Sequence, residues 1–134
     1  MAEVWSARNE LTQRDFAIKL ILPGLAHNRE ALDRFLQEAK TTGRLRHPSL
    51  VDVFDVGRTQ DGRPFLVMEL LSGESLDSLL ARRRRMPALW TAQMLGPIAG
   101  ALDVAHRAGI VHRDLSSANV FIAQAPGEVE PTPK

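Results

Sequence analysis

The chain has 134 residues, a length typical of about one domain, and its 17 Lys and Arg nearly balance 16 Asp and Glu. The resulting net charge of +1 provides no global field that would attract nucleic acid. Hydrophobic residues make up 44% and charged residues 25%, as in ordinary globular proteins. Because there are 0 cysteines, disulfide scaffolds, thiolate zinc sites and cysteine nucleophiles are excluded.

The N-terminal segment carries charges throughout and lacks the apolar core of a secretory signal. No apolar run approaches the roughly 18–20 residues that a membrane-spanning helix needs. These two features predict a cytoplasmic protein without a membrane segment.

The first half of the chain reads as strands around one helix. Val4–Arg8 and Phe16–Leu22 are β-prone runs separated by a polar stretch, which predicts a hairpin. A helix is predicted next, because apolar residues recur on one face between the N-cap candidate Asn28 and the stop signal Gly43. A second hairpin is predicted from the two apolar runs that flank a turn sequence, Leu50–Gly57 and Phe65–Leu71.

The second half of the chain is mostly helical in its pattern. A short helix is predicted from Leu76 to the arginines Arg82–Arg85, followed by a longer one that ends at Gly109. Pro97 is expected either to kink the longer helix or to mark its start. Val120–Ala123 is predicted to be the last strand. Strands and a helix followed by mainly helices indicate an α+β fold in two lobes.

Two charged residues lie at informative places in these elements. Lys19 ends an apolar strand, where a lysine ordinarily faces solvent. Glu38 lies roughly 60° from Phe35 on the helical wheel, at the margin of the buried stripe. From the pattern alone, its carboxylate could face either water or the core.

A more specific string is His112-Arg113-Asp114-Leu115 with Asn119 five positions after Asp114. It resembles the H-R-D-L-x-x-x-N catalytic loop of protein kinases. Glu38 follows Lys19 by 19 positions, a separation similar to that between the kinase strand-3 lysine and helix-C glutamate. His47-Pro48 and the stretch Asp61–Glu69 are also similar to bacterial members of the eukaryotic-like serine/threonine kinase family.

This resemblance covers nearly the whole chain and implies an incomplete protein-kinase-like two-lobe fold. Its parts would be a partial N-lobe β-sheet with helix C, a hinge, the first C-lobe helices and the catalytic loop. The implied partial kinase domain spans residues 1–122, with the N-lobe at about 1–68, the hinge at about 69–73 and the start of the C-lobe at about 74–122. Residues 123–134 are expected to form an irregular tail.

The resemblance also implies roles for individual residues in phosphoryl transfer from ATP with Mg²⁺. Lys19 would hold the α- and β-phosphates, and Glu38 would orient its ammonium group. Asp114 would accept or orient the substrate hydroxyl, Asn119 would bind one magnesium ion, and Arg113 would pair with a phosphorylated activation loop. The remaining implied ATP-binding residues are Val4, Ala17 and Phe121 around the adenine, Met68 as gatekeeper, and the backbone of Glu69 and Leu71.

The sequence departs from the family pattern at Ser116. Kinases that phosphorylate serine or threonine usually carry a D-L-K-P string, whereas here Ser116 and Ser117 follow Asp114-Leu115. A neutral hydroxyl thus stands where a cation normally contacts the γ-phosphate. The loss of one charge in a desolvated site costs on the order of a hundredfold in rate.

The ends of the chain raise a further expectation. Only Met1-Ala2-Glu3 precede Val4, where the glycine-rich loop would end, and no Asp-Phe-Gly follows Asn119. We therefore expect this chain by itself to be inactive and marginally stable. Four apolar residues of the C-lobe helices are then expected to remain partly exposed: Leu79, Leu80, Met94 and Leu102.

Two functional classes follow from these observations. The first is a serine/threonine protein kinase domain with ATP and a protein substrate as partners. The alternative is a pseudokinase, a binding module that holds nucleotide or docks a partner without catalysis. The run Arg82–Arg85 is expected to be a solvated helix C-terminus rather than a docking patch for acidic partners or RNA.

Overall fold

The computed structural model of the protein describes residues 2–25, 30, 32–33, 35, 43, 45–124 and 131–134. The chain divides into two compact units. Unit 1 comprises residues 1–46 and 51–70, and unit 2 comprises residues 47–50 and 71–134.

Unit 1 contains an antiparallel sheet of four strands, in the spatial order β1-β2-β4-β3. Both predicted hairpins are confirmed, since β1 pairs with β2 and β3 pairs with β4. The last strand of the sheet ends at Met68, before the end of the apolar run that predicts it. The strands are β1 (Ala2–Arg8), β2 (Asp15–Ile21), β3 (Val53–Arg58) and β4 (Pro64–Met68).

Local hydrogen bonds explain why the first hairpin closes where it does. The Asn9 side-chain oxygen accepts the backbone N–H groups of Leu11 and Thr12 at 3.0 and 2.9 Å, an Asx-type turn. At the base of this loop, the Arg8 guanidinium binds the Asp15 carboxylate through bonds of 2.6 and 2.9 Å. The turn chemistry is therefore encoded within the loop itself.

The buried face of the sheet is set by strand alternation. Ala17 and Ile21 on β2 are 4% and 2% exposed, and Leu66 on β4 is 1% exposed. Of the helix predicted before Gly43, the described residues Glu30, Leu32, Asp33 and Phe35 are helical, and Phe35 is buried. The N-cap candidate Asn28 and the predicted site residue Glu38 lie outside the described residues.

Unit 2 combines two helices with a sheet of three short strands in the order β5-β6-β7. The helices are α1 (Leu76–Arg83) and α2 (Ala88–Arg107), and the strands are β5 (Gly73–Ser75), β6 (Phe121–Ala123) and β7 (Thr132–Pro133). The core of this unit is built from Leu79, Met94, Ile98, Val120 and Ile122, with Leu76, Met86, Trp90 and Leu102 packed against it.

The expectation that apolar residues of the unit 2 helices stay partly exposed is wrong for Leu79 and Met94 and is confirmed for Leu80 and Leu102. Leu79 and Met94 are 5% and 8% exposed, so both are buried. Leu80 and Leu102 are half-buried. The strand β6 contributes Ile122 to the same cluster, and each such burial stabilises the fold by about 1.5–3 kcal/mol.

Helix α2 runs through Pro97, so the prediction that Pro97 marks its start is wrong. Proline lacks the N–H that would bond the Gln93 carbonyl, but both residues are exposed and water can reach that carbonyl. The buried residues of the helix lie on the neighbouring face, about 40–100° around the helix axis from Pro97: Met94, Ile98, Ala101 and Ala105. Their packing offsets the loss of one backbone hydrogen bond.

Helix α2 ends in a Schellman motif, as the glycine predicted to terminate it requires. Gly109 adopts a φ of +75°, its N–H donates to His106 O at 2.9 Å, and the N–H of Ile110 donates to Ala105 O at 3.0 Å. The reversal directs the chain from α2 into the loop that carries Asp114.

Part of the tail is a strand, so the prediction of an irregular tail is wrong for Thr132–Pro133. Ile122 lies opposite Pro133, and Ala123 lies opposite Thr132. Lys134 and Phe121 exchange two backbone hydrogen bonds of 2.7 and 2.8 Å. Proline is tolerated here because β7 is an edge strand.

None of the helices in the described part of the chain has the length and apolar character of a transmembrane span.

Candidate active site

Asp114 lies in the exposed loop between α2 and β6, and Asn119 holds it in place. The side-chain amide nitrogen of Asn119 donates to the backbone oxygen of Asp114 at 2.9 Å and to its carboxylate Oδ2 at 3.0 Å. Within the part of the chain that is described, no hydrogen bond is recorded to the other carboxylate oxygen, Oδ1. The Asn119 amide thus orients the Asp114 carboxylate through Oδ2.

The turn before Asp114 is held by His112. The backbone N–H of Asp114 donates to His112 Nδ1 at 3.3 Å, so this ring nitrogen acts as an acceptor. Arg113, between them, adopts a φ of +62°, a left-handed conformation that costs a non-glycine residue about 1–2 kcal/mol. The strain is stored beside the residue on which the predicted chemistry depends.

The end of the loop is a 3₁₀ turn over Ser117–Asn119. The Asn119 N–H donates to Ser116 O at 3.1 Å, which closes the turn. The hydroxyl of Ser117 donates to Oδ1 of Asp77, in the first turn of α1, at 3.1 Å. Ser116 itself is exposed, and its side chain is recorded in no hydrogen bond among the described residues.

Sequence reasoning missed the contact between Ser117 and Asp77. A signal for it was present, because Ser117 stands where the D-L-K-P string has proline. The partner of Ser117 was not readable from sequence, since Asp77 lies 40 positions away.

In unit 1, Lys19 lies in the middle of the sheet. It lies opposite Val4 of β1 and Leu66 of β4, and it shares a face with the buried residues Ala17 and Ile21, which are two positions away on either side. Because directly opposed residues of paired strands share a face, the Lys19 side chain belongs to the face of Leu66 rather than to the opposite one. Its pairing with Glu38 stays a prediction, because Glu38 lies outside the described residues.

Four predicted ATP-binding residues in the sheet share one face. Ala17 is opposite Met68, and Lys19 is opposite Val4, so Val4, Ala17, Lys19 and Met68 all belong to it. Val4 is 59% exposed, and Met68 is half-buried. The sheet therefore offers an apolar surface next to one ammonium group.

Glu69 follows this sheet and is bonded to Asp52. Its carboxylate accepts the Asp52 N–H at 2.8 Å, and its own N–H donates to Asp52 O at 3.0 Å. Because the Glu69 N–H is already bonded to Asp52, the Glu69 carbonyl oxygen is the backbone atom that remains for the predicted hydrogen bond to adenine. In unit 2, Leu71 and Phe121 are both half-buried.

A magnesium ion fits the donor set of the loop. Since the Asn119 nitrogen is turned toward Asp114, the Asn119 Oδ1 is the atom left for a cation, and Mg²⁺ prefers oxygen ligands while keeping several waters. Among the described residues, no group of three or more His, Asp or Glu side chains could hold a metal ion.

Unit 2 also has a cavity of about 590 Å³ that is separate from the predicted site residues. It is lined by His47, Pro48, Ser49, Trp90, Gln93, Met94, Pro97, Pro131, Thr132 and Pro133. None of the residues predicted to bind ATP or metal takes part in this lining.

Comparison with known proteins shows which family the chain is similar to. Residues 1–129 match the family model described as protein kinase domain. The serine/threonine-protein kinase PknA of Mycobacterium tuberculosis is 38% identical over 136 residues, which cover 98% of this chain and 31% of that protein. The probable serine/threonine-protein kinase PknB of Corynebacterium glutamicum is 37% identical over 130 residues, covering 95% of this chain and 20% of that protein.

Solved structures agree with the sequence relatives. The kinase domain of Mycobacterium tuberculosis PknI superposes with a TM-score of 0.82 at 30% identity, over 98% of this chain and 53% of that one. The α+β protein-kinase fold predicted from the sequence is confirmed. The chain spans less than a third of the length of the PknA and PknB relatives.

Proposed function

Because the chain belongs to the protein kinase domain family, we propose that it provides the phosphate-binding lysine, the base and a metal ligand of a serine/threonine kinase. The observation that carries this proposal is the Asp114–Asn119 pair, in which an amide orients a carboxylate through two hydrogen bonds. The kinase-like spacing of the surrounding loop supports the same assignment.

In the proposed reaction, a substrate serine or threonine hydroxyl attacks the γ-phosphorus of ATP. The new O–P bond forms as the bond between the γ-phosphorus and the bridging oxygen of ADP breaks, and the hydroxyl proton passes to Asp114. Asn119 Oδ1 would be a ligand of Mg²⁺, which neutralises charge on the phosphates when it is bound. Asp114 therefore needs a fixed orientation, which the Asn119 amide supports.

Nucleotide binding is assigned to the shared sheet face of unit 1 and, by the family resemblance, to further residues named below. Lys19 would bind the α- and β-phosphates with Glu38 as its partner, and Arg113 would pair with a phosphorylated segment. The adenine would contact apolar side chains and the backbone of two further residues: Val4, Ala17, Met68 and Phe121, with Glu69 and Leu71.

A second function, nucleotide binding without catalysis, is favoured by one observation. Ser116 provides a neutral hydroxyl where serine/threonine kinases usually carry a cation that contacts the γ-phosphate. A site without that charge retains most contacts to ground-state ATP but stabilises the transition state less.

Both functions are tested by titrating the chain with Mg-ATP while measuring its melting temperature and phosphate transfer to a serine- and threonine-containing peptide. We expect Mg-ATP to raise the melting temperature of the wild type, and Lys19→Met to abolish that shift. Transfer that Asp114→Asn eliminates would support the kinase, and binding without transfer would support the second function. The absence of both binding and transfer would overturn both proposals. Arg58→Met, an exposed cation at the end of β3, is the matched control for Lys19→Met.

A further inference from the structure

Among the described residues, one side-chain hydrogen bond joins the catalytic-type loop of unit 2 to helix α1. The Ser117 hydroxyl donates to Oδ1 of Asp77 at 3.1 Å, whereas the other recorded side-chain bonds of this loop stay within it. The contact therefore couples the orientation of the loop to that of a helix.

Helix α1 is a fixed support at the point of contact. Ser75 caps the helix by accepting the Ser78 N–H at 3.2 Å, and Asp77 lies within the turn that this cap closes. The Leu76 N–H also donates to Val120 O at 2.8 Å, immediately after the loop. The turn that carries Asp77 is therefore held by its own hydrogen bonds, at Leu76 and at Ser78, and these fix the position of Asp77 next to Ser117.

The contact reaches Asp114 through one short turn. Ser117 begins the 3₁₀ turn that Asn119 ends, and the Asn119 N–H closes it on Ser116 O at 3.1 Å. A rotation of this turn moves the Asn119 amide, which holds the Asp114 carboxylate at 3.0 Å. We infer that Ser117 and Asp77 are positioning residues for the Asp114–Asn119 pair, an inference that rests on the function proposed above.

The physical reason lies in the residue that Ser117 replaces. In the D-L-K-P string, proline restrains the loop because its ring fixes φ near −65°. A serine has no such restraint, so the loop would sample more conformations before binding. The hydrogen bond to Asp77 supplies a replacement restraint from outside the loop.

The test measures loop order and metal binding separately on the chain. Hydrogen exchange of the Asn119 backbone and side-chain amides reports loop order by NMR, and Mn²⁺ broadening of the same resonances reports metal affinity. Ser117→Ala and Asp77→Ala should each speed exchange by about three- to tenfold, as expected for the loss of one exposed hydrogen bond. Metal affinity should fall by about two- to fivefold in both variants, and the double variant should be no worse than either single one.

Conservative variants and controls separate positioning from general destabilisation. Ser117→Thr keeps the hydroxyl and should restore wild-type exchange, while Ser117→Pro should restore it through the ring. Ser116→Ala and Asp103→Ala remove a neighbouring hydroxyl and a remote carboxylate, and should leave Asn119 exchange unchanged. Melting temperatures of all variants should remain within about 2 °C of the wild type, because one exposed hydrogen bond contributes little to global stability.

The outcomes distinguish this inference from the proposed function. If the wild type binds Mn²⁺ and Ser117→Ala changes neither exchange nor affinity, the positioning role is overturned and the metal site stands. If exchange responds as expected but the wild type binds no Mn²⁺, the loop coupling stands and the metal-binding part of the proposed function fails. An additive double variant would also contradict the inference, because it would show that the two residues act separately.

Discussion

The side-chain amide of Asn119 holds Asp114 at two points, the backbone oxygen at 2.9 Å and carboxylate Oδ2 at 3.0 Å. Both residues are exposed, so bulk water competes for these hydrogen bonds. The two bonds use different parts of one residue, and together they restrict rotation of the Asp114 side chain. This restriction is what a carboxylate needs in order to receive a proton from one direction.

Replacement of Asn119 tests this pair. Asn119→Ala should lower the free energy of unfolding by about 1 kcal/mol, since each lost bond is exposed. Asn119→Asp should lower the free energy of unfolding further at pH 7, because it places a second carboxylate against Asp114. Protonation of one carboxyl relieves this repulsion, so the deficit of Asn119→Asp should shrink at pH 4. Urea unfolding at both pH values measures this loss of unfolding free energy. A loss that does not change with pH would contradict the assigned geometry.

Gly73 is predicted to be intolerant of any side chain. Its φ is +142°, and a Cβ built on it would lie 2.1 Å from the carbonyl oxygen of Ile122. Gly73→Ala should therefore lower the free energy of unfolding by more than about 2 kcal/mol, because β5 must move away from β6. The measurement is urea unfolding, and an effect below about 0.5 kcal/mol, the scatter of ordinary surface changes, would contradict the close approach.

Gly96 provides the matched control for that substitution. It lies in helix α2, where an added Cβ would meet no atom within 4 Å, and its φ is an ordinary negative one. Gly96→Ala should stabilise unit 2 by about 0.5–1 kcal/mol, because alanine loses less backbone entropy in a helix. The pair of substitutions thus has opposite expected signs.

Ser116 is predicted to limit phosphoryl transfer. Ser116→Lys places a cation beside the γ-phosphate, and we expect it to raise the transfer rate on the order of a hundredfold through charge stabilisation of the transition state. Ser116→Met has a similar length without the charge and should leave the rate unchanged. Initial rates with a peptide substrate measure the effect. An equal gain from both variants would show that side-chain length, not charge, is responsible.

The first hairpin of unit 1 should have a pH-dependent stability. The hydrogen bond from Arg8 lowers the pKa of the Asp15 carboxyl below its ordinary value. Because the folded pKa lies below the unfolded one, the stabilisation is fully present above the unfolded pKa of about 3.9 and is lost as pH falls through the folded pKa. Asp15→Asn should therefore be less stable than the wild type at pH 7 and nearly equal to it at pH 2.

Glu10 is the control for this hairpin, since its carboxylate is recorded in no ion pair among the described residues. Glu10→Gln should be close to the wild type at both pH values. Urea midpoints at pH 7 and pH 2 provide the comparison. A difference between wild type and Asp15→Asn that persists unchanged at pH 2 would show that the pair with Arg8 does not cause it.

Sequence patterns located the elements whose signals are local. Both hairpins were predictable, because Asn9 and Gly62 encode turns within a few residues of the strands they join. The end of α2 was predictable for the same reason, since Gly109 can adopt the positive φ of a helix terminus. The spacing of Asp114 and Asn119 identified the loop, and the hydrogen bonds between them agree with it.

Other features depended on partners that are distant in the sequence. Helix α2 continues through Pro97 because Met94, Ile98 and Ala101 are buried along the neighbouring face of the helix, and a local rule for proline does not contain that burial. Thr132–Pro133 became a strand because β6 offers an edge for it, although the local sequence is rich in proline and predicts no regular structure.

By itself, the sequence determined the family, the order of the two hairpins and of the two unit 2 helices, and the residues that carry the predicted chemistry, because these follow from short-range periodicity and from motif spacing. Only the tertiary structure decided which residues support that chemistry. In the sequence, Asp77 is only an acidic residue in the first turn of a helix. In the structure, its carboxylate lies 3.1 Å from the hydroxyl of Ser117, which is 40 positions later in the chain. Hydrogen bonds of this kind depend on how α1 packs beside the loop, and the sequence pattern of either segment alone does not encode that packing.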